Sequence, residues 1–205
     1  MVANVQRGWT VLDVGANYGY YSVLLAELIG ADGQLFCFEP NPDVARAAEF
    51  SLELNSFASR STVYRTALSD RTGECAFFVP DGEPKNGHLE FGNTPSTGGD
   101  SFTVTMDTMD SFTSGLDRVD FIKIDAEGGE AGIFAGMQET IRKHNPLIVL
   151  EFNTNRGDAR AFAEAVNATY PQMKFLEEDG SVRDLTVEQM TTERLGQDWL
   201  LVLQN

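Results

Sequence analysis

The sequence predicts an α/β protein: one doubly wound, mostly parallel sheet. Two observations carry that expectation. The stretch Thr10-Val-Leu-Asp-Val-Gly-Ala-Asn-Tyr-Gly-Tyr-Tyr21 runs from a short strand through a turn bracketed by Gly15 and Gly19 into a helix, with Tyr21, Leu24, Leu25 and Leu28 at helical spacing. Farther on, Phe121 to Ile124 reads as a buried central strand, with Asp125 and Glu127 just past its end and Glu130 opening the next helix. Strand and helix patterns alternate between these stretches, as they do in a parallel sheet with crossover helices. A chain of 205 residues suits a single domain spanning 1–205, with residues 1–9 as a short lead-in.

Taken in order, the first helix ends at Gly30 and the Asp32-Gly33 turn, and residues 34–39 form the second strand. Asn41 caps the next helix with Pro42 at its first position and Asp43 in its first turn; Val44, Ala47, Ala48 and Leu52 carry it toward Asn55. Residues 61–68 read as a third strand, and residues 74–79 return from a 69–73 turn, so a hairpin is expected to interrupt the βα rhythm. Residues 80–100 hold five glycines and three prolines without apolar periodicity, which predicts a long loop, a lid over the substrate. Residues 101–106 form another strand, and Asp110 is expected to cap a short helix. Residues 146–151 are the fifth strand of the wound sheet, bringing Glu151 and Asn153 to the edge that carries Asp125. A helix follows from about Asp158 with Phe162, Ala165 and Val166 on one face, and residues 173–176 and 199–203 form a closing strand pair.

Composition narrows the function. Fifteen Lys and Arg against 31 Asp and Glu leave a formal charge of -16. A nucleic-acid partner wants a basic stripe to neutralise phosphates, and none is present. No apolar run approaches the roughly 20 residues that span a bilayer, and no signal-peptide pattern precedes the first strand. Cys37 and Cys75 are too few for a disulfide or metal framework, so a cytoplasmic setting is expected.

A strand feeding a glycine turn at a helix N-terminus brings backbone N–H groups toward a ligand. A dinucleotide site wants Gly-x-Gly-x-x-Gly, with the second glycine letting the backbone approach a pyrophosphate. Asn17 fills that slot here, and the carboxylate of Asp13 suits a ligand bearing an ammonium group or hydroxyls. Glu39, closing the second strand, is placed to accept both hydroxyls of a ribose. Lys123 lies in a strand covered on both faces and must be paired, so it is read as the partner of a neighbouring carboxylate. Glu130 is also what a helix N-terminus favours without any ligand. His88, in the long loop, is a candidate general base or a solvated surface residue.

Two stretches, "VLDVGANYGYYS" and "VDFIKIDAEGGE", occur in the order and form expected of the FkbM family of methyltransferases, and Phe38-Glu-Pro-Asn41 and Leu147-Ile-Val-Leu-Glu151 extend the resemblance from about Thr10 to Glu151. It implies a Rossmann-like fold of the class I methyltransferase type, its mostly parallel sheet completed by an antiparallel closing strand, with S-adenosylmethionine as cofactor and a hydroxyl on a glycan or secondary metabolite as acceptor. The cofactor residues it implies are Asp13, Gly15, Ala16, Asn17, Tyr18, Gly19, Glu39, Pro40, Ala67, Leu68, Ser69 and Asp125, with the segment reaching Asp70 beside the adenine. The catalytic set is expected among Asp125, Glu127, Glu151 and His88. Three of those carboxylates are expected to lie close together, offset by protonation, by Lys123 or by a metal; the metal-free arrangement is the expectation. A nicotinamide-dependent oxidoreductase and a non-catalytic cofactor-binding module are the alternatives. An amino-methyltransferase of nucleic acids would want Asp/Asn-Pro-Pro-aromatic where this chain reads Asp125-Ala-Glu-Gly128.

Overall fold

The computed structural model describes residues 4–90, 96–177 and 179–204. β1 (Thr10–Val14) is buried along its whole length, as the central strand of a sheet covered on both faces must be. Gly15 to Gly19 turn the chain into α1 (Tyr20–Ile29), which returns it to β2 (Gln34–Phe38), parallel to β1. Asn41 caps α2 (Pro42–Leu54) by accepting from the Asp43 N–H, with Pro42 at the first helical position. β3 (Ser61–Tyr64) then adds in parallel to β2.

The expected third strand is two strands. β3 stays with the main sheet, while β4 (Thr66–Leu68) breaks away to a second, four-stranded sheet. There it joins β5 (Gly73–Pro80), β6 (His88–Glu90) and β7 (Gly99–Asp107) in the order β4-β7-β5-β6. The expected hairpin between 61–68 and 74–79 does not form: β7 lies between β4 and β5, pairing parallel to the first and antiparallel to the second. Alternation showed which residues extend, but not that a third strand would insert between two sequence neighbours. The stretch expected as a loop over 80–100 is also partly ordered secondary structure. It holds a single 3-10 turn at Pro84–Asn86, then β6, then the start of β7; residues 91–95 lie outside the described residues.

α3 (Met109–Thr113) is capped by Thr108, whose hydroxyl accepts from Ser111, and not by Asp110. The carboxylate of Asp110 instead accepts the N–H groups of Glu139 and Thr140, in the first turn of a later helix. β8 (Phe121–Ile124) pairs with β1 on its other edge and leads into α4 (Glu130–Ala135) and α5 (Gln138–His144). β9 (Leu147–Asn153) extends the parallel set, and α6 (Ala159–Thr169) buries Ala163 and Val166, with Ala165 left exposed. β10 (Lys174–Leu176), β11 (Val182–Asp184), α7 (Val187–Thr192) and β12 (Asp198–Leu203) close the fold. The main sheet reads β11-β10-β12-β9-β8-β1-β2-β3, with β12 antiparallel to both neighbours. The expected closing pair is β10 with β12; β11 and α7 are additions to it.

Strand alternation splits the core into two layers. Leu12, Val14, Ile122 and Ile124 face one side, where α4, α5 and α6 pack, and Val11, Leu35 and Phe121 face the other against Leu25, Ile29 and Leu52 of α1 and α2. The shared direction of β1, β2, β3, β8 and β9 delivers their C-termini to one rim. At that rim the turns after β1 and β8 touch. Gly15 has φ +70°, and a Cβ there would stand 1.7 Å from the Asp125 carbonyl oxygen. Gly15→Ala should therefore cost more than about 2 kcal/mol, one part the left-handed backbone and the larger part the collision, and lower the melting midpoint by roughly 4–8 °C. A thermal melt indistinguishable from the wild type would contradict this close approach.

Candidate cofactor and active site

The cleft lies above the C-terminal ends of β1, β2 and β8 and encloses about 670 Å³, its open mouth included. Gly15, Asn17, Glu39, Pro40, Ala67, Leu68, Asp125 and Glu127 line it, joined by Phe77 of β5, Leu89 of β6, and Pro84, Lys85 and Gly87 of the turn between those strands. Of the residues singled out from the sequence, these eight come together. Phe38, Leu68, Phe77 and Ile133 give the cleft an apolar side; Glu39, Asp125 and Glu127 give it an acidic one.

The glycine turn is not a cradle of free N–H groups. Gly15 and Ala16 donate to the Phe38 carbonyl, Asn17 to Glu39 Oε2, Tyr18 to the Asn17 side chain, and Gly19 to the Ala16 carbonyl. All five donors are satisfied within the fold. A pyrophosphate would find none of them available, whereas hydroxyls that donate to a carboxylate need none. Asn17 adopts φ 52°, the left-handed region that asparagine tolerates, and its Nδ2 reaches the Lys85 carbonyl at 3.1 Å. Asn41 Nδ2 makes a longer bond of 3.4 Å to the Pro84 carbonyl. The 84–86 turn is thereby fastened over the cleft at two points.

Glu39 is 7% exposed; Oε1 accepts from Asn41 N–H and Oε2 from Asn17 N–H. Each oxygen keeps a second lone pair for the cleft. Burial pushes its carboxyl above the usual range, against the pull of the two backbone donors.

Asp13 does not reach the cleft. It is fully buried behind the turn because side chains alternate along β1, and Asp13 shares Val11's face, toward α1. Ser22 of α1 donates to its Oδ2 at 2.6 Å. Its register partner on β8 is Lys123, whose Nζ lies 3.4 Å from Asp13 Oδ1, 3.4 Å from Asp125 Oδ2, 3.0 Å from the Gly15 carbonyl and 5.2 Å from the centre of the Tyr21 ring. Burial pulls the Lys123 ammonium down, but Asp13 and Asp125 overcome it and hold it above its ordinary value. The expected pairing of Lys123 is thus double: one carboxylate behind the turn and one in front.

Other sequence candidates also fall outside the cleft lining. Ala16 packs beneath the turn; the Tyr18 side chain is exposed; Gly19 gives α1 room against Ala48, where a Cβ would stand 3.1 Å from its Cα. Ser69 is buried, with its hydroxyl against Gly132, and Asp70 faces Arg71 at 3.6 Å. The His88 ring lies tilted against the Phe78 ring at 5.5 Å, its Nδ1 3.3 Å from the Asn86 carbonyl. Leu89, the next residue of β6, is the one that faces the cleft, and neighbours on a strand point oppositely.

One strand beyond the cleft lies a second charged group. Asp125, Glu130 and Glu151 each offer an oxygen within 4.8 Å of the others. The cation in their midst is Arg156, in the turn between β9 and α6, which the sequence reading passed over. It bonds Glu127 at 2.9 Å, Glu130 at 3.3 Å and Glu151 closely, with Asp198 at 3.9 Å. Lys123 was expected to pair with one neighbouring carboxylate; it serves Asp13 and Asp125, while Arg156 serves Glu127, Glu130 and Glu151. The only signal in the sequence was an arginine five residues after a strand-end glutamate. Burial, reinforced by Asp125, pushes the Glu151 carboxyl up to about 7 despite the pull of Arg156. Glu127 is raised too, chiefly by burial, and it holds φ 49°, a left-handed conformation that is strained for glutamate.

The model of the FkbM methyltransferase domain matches residues 13–186. The chain belongs to the FkbM methyltransferase family. It is 31% identical over 149 residues to the 2-O-methyltransferase NoeI of Sinorhizobium fredii, covering 65% of this chain and 59% of NoeI. Among solved structures, an FkbM methyltransferase from Methylobacillus flagellatus superposes with a TM-score of 0.60 at 17% identity, over 95% of this chain and 43% of that one. A Bacillus cereus O-methyltransferase in complex with SAH superposes at 0.54 and 14% identity, over 100% of this chain and 76% of that one. These structures share its fold. The chain spans about six tenths of the length of NoeI and less than half of the Methylobacillus chain.

The Lys123 arrangement makes a stability prediction. Lys123→Met should destabilise the fold by about 3–5 kcal/mol in denaturant unfolding, because it strands the fully buried Asp13. Adding Asp13→Asn should recover part of that loss. Additive costs in the double variant would show that the two side chains act independently.

Proposed function

We propose that this FkbM-family domain is an S-adenosylmethionine-dependent O-methyltransferase whose acceptor is a hydroxyl on a glycan or secondary metabolite. The observation that carries the reading is the donor chemistry of the cleft: a strand-end glutamate with lone pairs to spare beside a turn whose N–H groups are all taken. That set fits a ribose and a cation, and it opposes the nicotinamide-dependent reading. The apolar side of the cleft at Leu68, Phe77 and Ile133 suits an adenine, and Asp125 is placed for the methionine end. NoeI, a 2-O-methyltransferase, supports oxygen as the acceptor atom.

The bound cofactor would supply a methyl group activated on a sulfonium, leaving as S-adenosylhomocysteine. The chain's own residues bind, orient and accept a proton. Glu39 holds the ribose hydroxyls, and the 84–86 turn, fastened by Asn17 and Asn41, covers the cleft as a lid. Glu151 lies on β9, next to β8 and outside the cofactor cleft, which is where an acceptor would approach. A carboxyl whose affinity for protons sits near neutrality suits a general base. Glu127 orients the acceptor hydroxyl and Asp125 the cofactor's charged end; the metal-free reading rests on Lys123 and Arg156, which pair with these carboxylates. Two unpaired cysteines agree with a cytoplasmic setting. No helix among the described residues is long and apolar enough to cross a membrane.

Glu39→Ala removes two hydrogen bonds to a charged acceptor, each worth roughly 1.5–3 kcal/mol, so calorimetry should show S-adenosylhomocysteine binding weakened by about a hundredfold or more. Unchanged affinity would sink the cofactor assignment. Transfer of radioactive methyl from S-adenosylmethionine to a panel of sugars, polyols and phenols tests the acceptor class, and incorporation into amines alone would refute the O-directed reading.

A further inference from the structure

Arg156 is held by its own turn before it touches a carboxylate. Its N–H donates to the Asn153 carbonyl at 3.1 Å, the Asn155 N–H donates to the Asn153 side chain at 2.9 Å, and that side chain is fixed in turn by Asp198 at 2.7 Å. The guanidinium then spreads over three acids with a different share for each. Glu130 is fully engaged: one oxygen takes the Ala126 N–H at 2.8 Å, both take the Gly128 N–H, and Arg156 adds to the first. Glu127 and Glu151 are each held through Oε2 alone. Among the described residues no donor reaches Oε1 of Glu151, and 13% of that side chain is exposed. One oxygen is clamped and the other is open toward the rim.

We propose that Arg156 is the positioning residue of the transfer reaction: it clamps Glu151 through Oε2, favours its ionised form beside Asp125, and leaves Oε1 to take the proton of the acceptor hydroxyl. The proposal rests on the methyl-transfer reading above. In that step the acceptor oxygen forms a C–O bond to the methyl, the S–C electron pair stays on sulfur, and the hydroxyl proton ends on Glu151. Without the arginine, Glu151 would face Asp125 from the end of β8, Glu127 and Glu130 from α4 and the turn before it, and Asp198 from β12. Lys123, the other cation nearby, is engaged with Asp13 and Asp125. Four negative neighbours and no guanidinium favour the protonated, inactive form.

The test needs no acceptor. The side-chain carboxyl carbon of Glu151, assigned by its disappearance in Glu151→Gln, is followed by NMR across a pH titration of the free protein. The wild type should titrate near 7. In Arg156→Gln the midpoint should rise by roughly one pH unit or more, and Arg156→Lys should bring it part of the way back. Should the glutamine variant fail to fold, Arg156→Met, which keeps the aliphatic stem, carries the same comparison. An unchanged midpoint in a folded glutamine or methionine variant, or a lysine variant no lower than these, overturns the proposal. Calorimetry with S-adenosylhomocysteine runs beside it. Failure of the wild type to bind would overturn the methyl-transfer reading and this inference with it. Binding within about twofold in wild type and variants, together with a moved midpoint, supports both.

Discussion

The structure depends on one buried ammonium. Lys123 stands in the middle of the sheet, opposite Asp13 on the neighbouring strand, and its Nζ touches the carbonyl of Gly15 and the carboxylate of Asp125. It therefore ties together the two turns that form the cleft, one after β1 and one after β8. A hydrophobic pair in the same space could give equal stability, since the desolvation of two buried charges offsets most of their attraction. It could not grip two turns by their polar groups. The direct contact of the turns, which only glycine at position 15 permits, sets their spacing; the lysine sets their orientation.

That division between a buried frame and an accessible surface runs through the whole rim. Asp13 and Glu130 carry charges like those of Asp125 and Glu151, yet both are spent on the fold, the first on Lys123 and Ser22 and the second on backbone N–H groups and Arg156. Asp125, Glu127 and Glu151 each have a buried or half-buried cation behind them. Local pairing matters here because like charges on adjacent strand ends raise one another's affinity for protons, and an unpaired member would take one from solvent. Glu127, in a left-handed conformation that strains a glutamate, is held by Arg156, and Asn17, left-handed in the other turn, is held by Glu39 and the Lys85 carbonyl.

The strand–turn–helix units were legible because each satisfies local rules: Asn41-Pro42 caps α2, Gly30 ends α1, and β1 and β8 are short apolar runs bounded by turn residues. The second sheet was not. β4 and β6 are three residues each, too short for periodicity, and β7 inserts between two strands that sequence order alone would pair. Within the site, Glu39, Asp125 and the glycine turn could be placed from strand ends. Which face Asp13 and His88 turn toward depended on alternation within strands whose register was not yet known. Arg156 escaped notice because its meaning lies entirely in three partners drawn from other segments.

The central claim is that the cleft above β1, β2 and β8 takes an adenosyl ligand by its hydroxyls, with no use of the turn's N–H groups. A crystal structure with S-adenosylhomocysteine tests it most directly. The account predicts the ribose hydroxyls on Glu39, the sulfur toward Asp125, and the bonds from Gly15, Ala16 and Asn17 to Phe38 and Glu39 unbroken. A ligand bound elsewhere, or one whose polar groups displace those backbone bonds, would contradict it.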